Sequence, residues 1–437
     1  MGKSRRRREP YQVSIENLSH EGRGVGRVNG KTVFVTGALP GEQVLARKTR
    51  GRKSFDEAIA LEINEPNPDR VAPNCPHYDI CGGCSLQHLH EDKQIAHKQN
   101  VLLELFAHHA GAEPEQLMPP LRGDAWHYRR RARLGVKHVE KKGGVLVGFR
   151  EKASPYIADI HRCEVLHESI GYRLDEFRAL IEKLSIKSKI PQLEVAVGDE
   201  HAAIIVRHLE GFTEQDLTQL KAFQAEFGIS LYLQPKGEDS VHPLDQSSRL
   251  LHYSLDGISF QFTPSNFIQV NQAINRKMVE RVIENLALES NDTVLDLFCG
   301  LGNFTLPMAK RVRHIHGVEG DPALVELAKL NAERNQIDNA DFTAMNLADP
   351  DVLSKLRLAD YNKLLLDPPR SGAEEIILAS DLSNIELLVY VSCNPVTLAR
   401  DAGHLLASHG YKLKKLGVMD MFPHTSHVES LAIFARR

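Results

Sequence analysis

The chain has 437 residues, of which 42% are hydrophobic and 25% charged, a composition typical of a globular protein with two or three domains. No segment approaches the roughly 20 consecutive apolar residues that a membrane span needs, and no apolar stretch follows the arginines at 5–8. We therefore expect a cytoplasmic protein with no membrane partner. Six cysteines in a chain of this length favour metal-binding or catalytic roles over a disulfide scaffold.

The net charge of -3 conceals an asymmetry along the chain. Residues 1–150 contain 25 Lys and Arg against 17 Asp and Glu, a net charge of +8, whereas the remainder contains 29 against 40, a net charge of -11. A basic front half joined to an acidic back half favours an anionic polymer that one part docks and the other processes. Solvated surface charge is the alternative explanation.

The front of the chain predicts a basic tail at residues 1–10 and a small β-barrel at residues 11–66. Short alternating segments lie between glycine-rich turns, the pattern of several short strands in a small barrel. Basic residues near the end of this region suit a face that binds phosphates: Arg47, Lys48, Arg50, Arg52 and Lys53. Prolines at 66, 68 and 73 then mark a linker.

Residues 67–264 predict a central α+β domain. Its elements are helical patterns at 91–110, 173–186 and 213–227 and strands at 195–206 and 229–233; the first helix is expected to pack on the catalytic domain. The arginines of the β-rich segment after Trp126, interleaved with Tyr128, are candidate RNA contacts or else a solvated hairpin face: Arg129, Arg130, Arg131 and Arg133.

Four cysteines of this region form a candidate metal site. Cys75, Cys81 and Cys84 follow the spacing Cys-x5-Cys-x2-Cys, and Cys163 lies far downstream. Four thiolates hold zinc or an iron–sulfur cluster equally well. From the residues alone, a structural zinc ion is the default prediction.

Residues 265–437 predict a doubly wound α/β domain with an antiparallel end piece. Strands and helices alternate from a helix at 271–287, through strands at 293–296, 314–319, 341–345, 363–367 and 387–393, to final strands at 412–419 and 430–435. The helices between them are predicted at 322–335, 374–380 and 396–408. Ligands bind such sheets at the carboxyl ends of the strands.

A nucleotide-cofactor site is predicted after the first strand of this domain. Gly300 and Gly302 follow that strand directly, and Glu319 ends the next one, where an acid can bind ribose hydroxyls. A lone Gly-x-Gly is a weak signal. Asp296 before the turn and Asp367 at a later strand end make the combination typical of methyltransferases that use S-adenosylmethionine.

Cys393 and Glu429 are the predicted catalytic pair. Cys393 ends an apolar strand that Asn394 and Pro395 terminate, so its thiol lies where such sheets bind ligands. A cysteine nucleophile, a carboxylate base and a cofactor turn in one domain indicate group transfer through a covalent intermediate.

Four short motifs together resemble the RNA uracil-5-methyltransferase family. They are Ser-Cys-Asn-Pro at Cys393, His-x-Glu-Ser at Glu429, Asp-Pro-Pro-Arg at Asp367 and Phe-Ile-Gln-Val-Asn at Gln269. The resemblance implies a Rossmann-like catalytic domain, an N-terminal TRAM barrel (OB-like) that binds RNA, and a central region carrying a [4Fe–4S] cluster on Cys75, Cys81, Cys84 and Cys163. The order of these parts is similar to the branch of the family that methylates uridine 1939 of 23S ribosomal RNA.

The resemblance also assigns roles within the site. It implies that Cys393 adds to uracil C6, that Glu429 removes the C5 proton, and that S-adenosylmethionine is bound by Gln269, Phe298, Asn303, Glu319, Asn346 and Asp367. We expect a monomer. The alternatives are another uridine in ribosomal or transfer RNA, an adenine amino-methyltransferase, a redox enzyme that uses the cluster, and an RNA-binding assembly factor that needs no catalysis.

Overall fold

A computed structural model describes residues 9–152, 154–349 and 355–436 of the chain. The chain divides into two compact units. The first unit runs to Val101 and includes Phe149–Asp159 and Phe422–His427, and the second unit holds the rest. The predicted boundaries after residues 66 and 264 stay predictions, and the predicted tail at 1–10 lies outside the described residues except for its last two.

A closed five-stranded barrel forms the start of the first unit, which confirms that prediction. The strands follow the order β1-β2-β3-β5-β4 around the barrel. Alternate side chains point inward along each strand, and the interior is built from small and branched residues such as Val13, Ile15, Val33 and Val44. The strand bounds are β1 (Tyr11–Leu18), β2 (Gly24–Val28), β3 (Lys31–Thr36), β4 (Gln43–Gly51) and β5 (Phe55–Glu65).

Close strand packing in the barrel requires glycine at one position in particular. A Cβ atom added to Gly26 would lie 2.3 Å from the backbone oxygen of Ser14, which no real side chain tolerates. Gly26 pairs with Ile15 across the bulged β1–β2 ladder. The glycine-rich character of the segment is therefore a packing requirement as well as a turn signal.

A buried carboxylate joins the barrel to the segment that follows it. The Glu42 side chain is fully buried and accepts hydrogen bonds from the backbone N–H groups of Leu39 (2.7 Å) and Asn67 (3.1 Å). Arg70 completes the arrangement with a two-pronged pair, Nε to Oε1 at 2.6 Å and Nη2 to Oε2 at 2.7 Å. Both carboxylate oxygens are thus satisfied, as a buried charge requires.

The second unit contains a six-stranded sheet of order β12-β11-β10-β9-β7-β8. The single strand predicted at 195–206 is wrong: β9 and β10 are two antiparallel strands joined by a turn, in which the Gly198 N–H donates to the His201 carbonyl oxygen at 2.8 Å. The bounds are β7 (Arg131–Val139), β8 (Gly144–Gly148), β9 (Gln192–Val197), β10 (Ala202–Arg207), β11 (Ile229–Gln234) and β12 (His242–Pro243).

The second unit also contains an eight-stranded sheet of order β17-β16-β15-β18-β19-β21-β20-β6. A separate hairpin is formed by β13 (Leu251–Leu255) and β14 (Ile258–Phe262). Strands β17 to β19 in this order are parallel, and β21 runs antiparallel to both β19 and β20. The predicted doubly wound domain with an antiparallel end is therefore confirmed. The bounds are β6 (Gln116–Leu117), β15 (Thr293–Leu297), β16 (His314–Glu319), β17 (Ala340–Ala344), β18 (Lys363–Leu366), β19 (Leu387–Ser392), β20 (Tyr411–Met419) and β21 (Glu429–Arg436).

Most helices lie within a residue or two of the predicted positions. The helix predicted at 173–186 ends already at Lys183, and the two short helices at 168–171 and 305–309 were not predicted. The helix bounds are α1 (Glu91–Leu105), α2 (Glu168–Gly171), α3 (Leu174–Lys183), α4 (Glu214–Phe227), α5 (Gln272–Leu286), α6 (Thr305–Ala309), α7 (Pro322–Arg334), α8 (Glu374–Ala379) and α9 (Pro395–Ser408). A π-helical turn, Phe106–Ala110, extends α1 and packs against α9. Among the described residues, no helix is long and apolar enough to cross a membrane.

We predict that Glu42→Gln destabilises the barrel by about 3 kcal/mol, because it leaves the charge of Arg70 without its buried partner. The measurement is hydrogen–deuterium exchange of the β1–β5 amides, which reports on the barrel separately from the second unit. Glu21→Gln is the matched control: Glu21 pairs with Arg23 while 52% exposed, so its loss should cost under about 1 kcal/mol. Equal protection in the two variants would contradict the role given to Glu42.

Candidate active site

Five parallel strands of the large sheet end at the same edge, and the predicted site residues follow those ends. Phe298 comes directly after β15 and Asp367 directly after β18, and their neighbours in the ladder, Leu297 and Leu366, pair with each other. Glu319 is the last residue of β16, and Asn346 lies two residues beyond β17. The sheet therefore brings these predicted residues to the edge where open α/β sheets bind ligands.

Antiparallel pairing brings Cys393 and Glu429 together. Ser392, the last residue of β19, pairs with Ser430, and the Ser430 hydroxyl donates to the Ser392 carbonyl oxygen at 3.2 Å. Cys393 follows one partner of this pair and Glu429 precedes the other, so the two lie opposite each other at the next position of the ladder. Glu429 is only 3% exposed, whereas Cys393 is partly exposed.

Burial and like charges shift the acid–base properties of this pair. Burial, reinforced by the carboxylate of Asp367, raises the pKa of Glu429 well above its ordinary value, although Arg370 opposes that rise. The pKa of the Cys393 thiol is also raised, chiefly by burial and then by Glu429 and Asp367, while Arg370 again acts in the opposite direction. Burial and Glu319 raise the pKa of Asp367 to about 7. Arg370 is thus the cation that favours the ionised forms of both Cys393 and Glu429.

The backbone of Arg370 is held by the residues that follow Cys393. Its carbonyl oxygen accepts a hydrogen bond from the side-chain amide of Asn394 at 2.8 Å and from the hydroxyl of Thr397 at 3.3 Å. The other side-chain atom of Asn394, Oδ1, accepts from the Val396 N–H at 3.2 Å and caps helix α9. The cysteine, the helix that follows it and the arginine are therefore connected through one asparagine side chain.

A buried aspartate fixes the rest of this loop. Asp401 is fully buried and accepts hydrogen bonds from the Tyr390 hydroxyl (2.6 Å), the Ala373 N–H (2.8 Å) and Arg400 Nε (2.8 Å). Arg400 in turn donates to the Ser371 carbonyl oxygen at 2.9 Å. Because every partner lies on β19, on α9 or in the loop after Asp367, Asp401 ties these three segments together.

The glycine-rich turn takes the conformation that a ligand loop needs. Gly300 and Gly302 adopt φ values of +56° and +91°, in the left-handed region that favours glycine. The Glu319 carboxylate lies under this turn and accepts from the backbone N–H of Gly300 at 3.0 Å and of Gly320 at 2.7 Å. These bonds fix the orientation of the acid that is predicted to hold the cofactor ribose.

Two other predicted cofactor ligands, Asn303 and Gln269, are associated with a hydrogen-bonded pair of asparagines: Asn303 is a member of the pair, and Gln269 lines a pocket with the other member. The amide of Asn303 bonds reciprocally with that of Asn275 (2.9 Å in each direction), and its oxygen also accepts from the Tyr253 hydroxyl at 2.9 Å. Gln269 lines a small pocket together with Tyr253 and Asn275. Because the Asn303 amide already has protein partners, its contact with a cofactor stays a prediction, as do the roles of the other predicted ligands.

The predicted cysteine ligands are divided between the two units. Cys75, Cys81 and Cys84 belong to the first unit and Cys163 to the second. Burial lowers the pKa of Lys152 to about 8, and Asp79 and the three cysteines of the first unit oppose that change. The Gly83 N–H donates to the sulfur of Cys81 at 3.4 Å. Within the described part of the chain, no group of three or more His, Cys, Asp or Glu side chains has the arrangement of a metal site.

All four arginines predicted as RNA contacts also make contacts within the protein, and Arg133 pairs with Glu194 at 3.3 Å. Their contacts with RNA stay predictions. Arg129 donates to the Arg131 carbonyl oxygen, Arg130 pairs with Asp199 at 2.7 Å, and Arg131 bonds the Pro264 carbonyl oxygen. The side chain of Arg133 is 65% exposed and remains the strongest candidate of the four for binding RNA.

Several residues that shape the site were missed in the sequence. Arg370 was seen only as part of a motif, Asp401 was not singled out, and Asn303 was predicted without its partner Asn275. Phe267 is 67% exposed two positions before Gln269, whereas Ile268 is buried. The position of Phe267 beside the Gln-Val-Asn motif could have drawn attention to it in the sequence, but its exposure is seen only in the structure.

The parallel sheet, its glycine turn and the carboxylates at its edge define the class of the second unit as an α/β methyltransferase. The structure is similar to that of a Pyrococcus abyssi tRNA (uracil-54, C5)-methyltransferase solved in complex with S-adenosyl-L-homocysteine, with a TM-score of 0.75 and 24% sequence identity. The match covers 97% of this chain and 100% of the Pyrococcus abyssi chain, and it supports the fold.

Comparison with family models and curated relatives is more specific. Residues 90–437 match the tRNA (Uracil-5-)-methyltransferase family and residues 4–60 match the TRAM domain. The chain is 50% identical to the 23S rRNA (uracil(1939)-C(5))-methyltransferase RlmD of Alkalilimnicola ehrlichii, in a match that covers all of this chain and 99% of that protein. It is 49% identical over 99% of its length to the whole RlmD of Hahella chejuensis. The chain belongs to the tRNA (uracil-5-)-methyltransferase family.

We predict that the alkylation of Cys393 by iodoacetamide speeds up as pH rises through and beyond 9, because only the thiolate reacts and its pKa is raised. Arg370→Gln removes the cation that favours the thiolate and should raise the midpoint by about one pH unit, roughly a tenfold slower reaction near neutral pH. Peptide mass spectrometry separates Cys393 from the other cysteines. Arg370→Lys keeps the charge and is the control; equal rates in all three proteins would contradict this role for Arg370.

Proposed function

We propose that this protein transfers a methyl group from S-adenosylmethionine to C5 of a uridine in 23S ribosomal RNA, at position 1939. The observation that carries the proposal is the β19–β21 register, which sets a partly exposed cysteine opposite a buried glutamate at the ligand-binding edge of a methyltransferase sheet. The RNA and the position come from relatives about half identical over the whole chain. Family membership favours uracil C5 over the adenine amino group.

The proposed role of Cys393 is to make C5 of uracil nucleophilic. C5 of uracil is a poor nucleophile, and addition of the Cys393 thiolate to C6 forms a C–S bond and moves the C5–C6 π electrons onto C5. S-adenosylmethionine then supplies the methyl group, and its sulfonium C–S bond breaks as C5 takes up the methyl carbon. Arg370 favours the thiolate that starts this sequence.

Glu429 suits the step that follows. The methylated ring still carries a proton on C5, and Glu429 removes it so that the electrons reform the C5–C6 double bond and expel the Cys393 thiolate. A carboxylate whose pKa is raised is a stronger base than an exposed one, and burial raises the pKa of Glu429 in this way. Bulk water is also kept from the base, since its side chain is enclosed.

The cofactor is assigned to the edge of the parallel strands. Glu319 would accept hydrogen bonds from ribose hydroxyls, Phe298 would stack on part of the cofactor, and Gln269, Asn303, Asn346 and Asp367 complete the proposed set. The support is positional: the glycine turn, Glu319 and Asp367 all lie at one strand edge. The target base must leave its stack to reach this edge, and Arg133 and the barrel are proposed to hold the surrounding RNA.

A [4Fe–4S] cluster on Cys75, Cys81, Cys84 and Cys163 belongs to the same proposal. An all-thiolate donor set suits such a cluster, and the Gly83 N–H bond to the Cys81 sulfur is of the kind that tunes cluster sulfurs. The proposed methyl transfer has no redox step, so these cysteines would serve structure or RNA positioning. We also retain the prediction of a cytoplasmic monomer.

Anaerobically purified protein should contain about four iron and four sulfide per chain, and Cys81→Ser should lose most of both because it removes one ligand. Iron and acid-labile sulfide assays with zinc analysis measure this. Cys299→Ser is the matched control, since that buried cysteine lies beside the cofactor turn. One zinc per chain, with no sulfide, would show that the four cysteines form a zinc site.

Ribosomal RNA substituted with 5-fluorouracil should trap the enzyme. Fluorine at C5 cannot be removed as a proton, so wild-type protein with S-adenosylmethionine should form a complex that survives denaturation, and mapping the linked nucleotide gives the target. Cys393→Ala should form none. Glu429→Gln should accumulate a methylated adduct with ordinary uracil, because elimination lacks its base. Tight RNA binding by the wild type without any adduct would sink the proposal and favour a non-catalytic binding role.

A further inference from the structure

A pocket of about 300 Å³ is lined by residues of the first unit, whereas Cys393 and Glu429 belong to the second unit. We name it the barrel pocket; its lining includes Ile59 and Leu61 of β5 and Arg70, Tyr78, His88 and Lys152. Its size is that of a small-ligand site, and no step of the proposed methyl transfer uses it.

A buried histidine of this pocket has an unused hydrogen-bonding nitrogen. His88 is 2% exposed, and its Nε2 has no hydrogen-bond partner among the described residues. Its Nδ1 lies 2.6 Å from the hydroxyl of Tyr78, and that hydroxyl donates to the Ser85 carbonyl oxygen at 2.8 Å. Because Tyr78 has one hydroxyl proton, Nδ1 must be the donor in the first contact. Nε2 is therefore a buried acceptor on a side chain that lines the pocket.

The charges of the pocket come from three side chains. Arg70 is neutralised by its pair with buried Glu42, and Asp79 adds an exposed carboxylate to the lining. Among the described residues Lys152 has no ion-pair partner within 4 Å, although the carboxylate of Asp79 acts on its charge, and its ammonium lies 3.3 Å from the centre of the Tyr78 ring. The pocket thus combines one available cation, two acceptors (His88 and Asp79) and an apolar wall from β5.

We propose that the barrel pocket binds one unpaired nucleotide of the RNA substrate, with a phosphate on Lys152 and the donor groups of the base edge or ribose facing His88 Nε2. An unpaired nucleotide offers all three complements: an anion for the lysine, N–H or O–H donors for the acceptors, and a flat apolar face for the wall of β5. This inference rests on the proposed RNA substrate and adds to it a second point of recognition, on the unit that does not carry Cys393 and Glu429.

The direct test is the binding of a fluorescein-labelled, single-stranded hexaribonucleotide of mixed sequence to the full chain, measured by anisotropy across a salt series. Lys152→Met should weaken binding about fivefold to tenfold and reduce the salt slope by about 0.7, the value for one phosphate contact on a single strand. His88→Phe keeps the ring but removes the acceptor, so it should weaken binding several-fold with an unchanged slope.

Two controls separate the pocket from general effects. Lys329→Met removes a lysine that is 48% exposed on α7 in the second unit, so it should bind the probe like the wild type. Iron content and circular dichroism confirm that each variant is folded. Binding by Lys152→Met within twofold of the wild type would overturn the proposal, and so would displacement of the hexamer by nucleoside monophosphates at equal concentration, which would indicate a free-nucleotide site.

Adduct formation with fluorouracil RNA distinguishes this inference from the function on which it rests. Lys152→Met should still link to saturating RNA through Cys393, but the RNA concentration for half-maximal linkage should rise as the hexamer affinity falls. If wild-type protein forms no adduct, the proposed methyl transfer fails, while the hexamer comparison still decides whether the pocket binds RNA. An unchanged half-maximal concentration in Lys152→Met would count against the pocket alone.

Discussion

The antiparallel pairing of β21 with β19 is the interaction on which the candidate site depends. Strand β19 is parallel to β18, whereas β21 runs antiparallel to β19. The pairing of β19 with β21 sets Cys393 opposite Glu429. A shift of β21 by one residue along β19 would turn the Glu429 side chain to the opposite face of the sheet and separate it from Cys393. The Ser392–Ser430 pair, closed by a side-chain hydrogen bond, holds the register one position from the chemistry.

The electrostatics of the site follow from the same enclosure. Asp367, Glu429 and the Cys393 thiol share one region of low water access, where burial and mutual repulsion disfavour their charged forms. Arg370 offsets this for two of them. The acid–base properties of the Cys393–Glu429 pair therefore depend on the position of one guanidinium group, that of Arg370.

Local sequence patterns predicted most of this fold and the pair at its centre, because strand ends, glycine turns and helix caps are encoded within a few residues. The misses are long-range or depend on a short turn. The β9–β10 hairpin was read as one strand because the turn signal of residues 198–201, Gly-Asp-Glu-His, was overlooked between two apolar segments. Strand β6 has only two residues, Gln116 and Leu117, and they pair with β20 some 300 positions away. The contacts of Arg370 and Asp401 could not be predicted either, since they arise only when loop, strand and helix meet.

The two hydrogen bonds of Asn394 carry a consequence for how this position can vary. Its oxygen caps helix α9 while its amide nitrogen holds the Arg370 carbonyl. Aspartate caps helices equally well, but an ionised aspartate has no donor for the Arg370 carbonyl, and serine and threonine have no amide nitrogen to donate while the oxygen caps the helix. Asn394 thus both begins helix α9 and holds the backbone of Arg370. We expect natural variation at this position to be restricted to asparagine, even if the residue does not contact RNA.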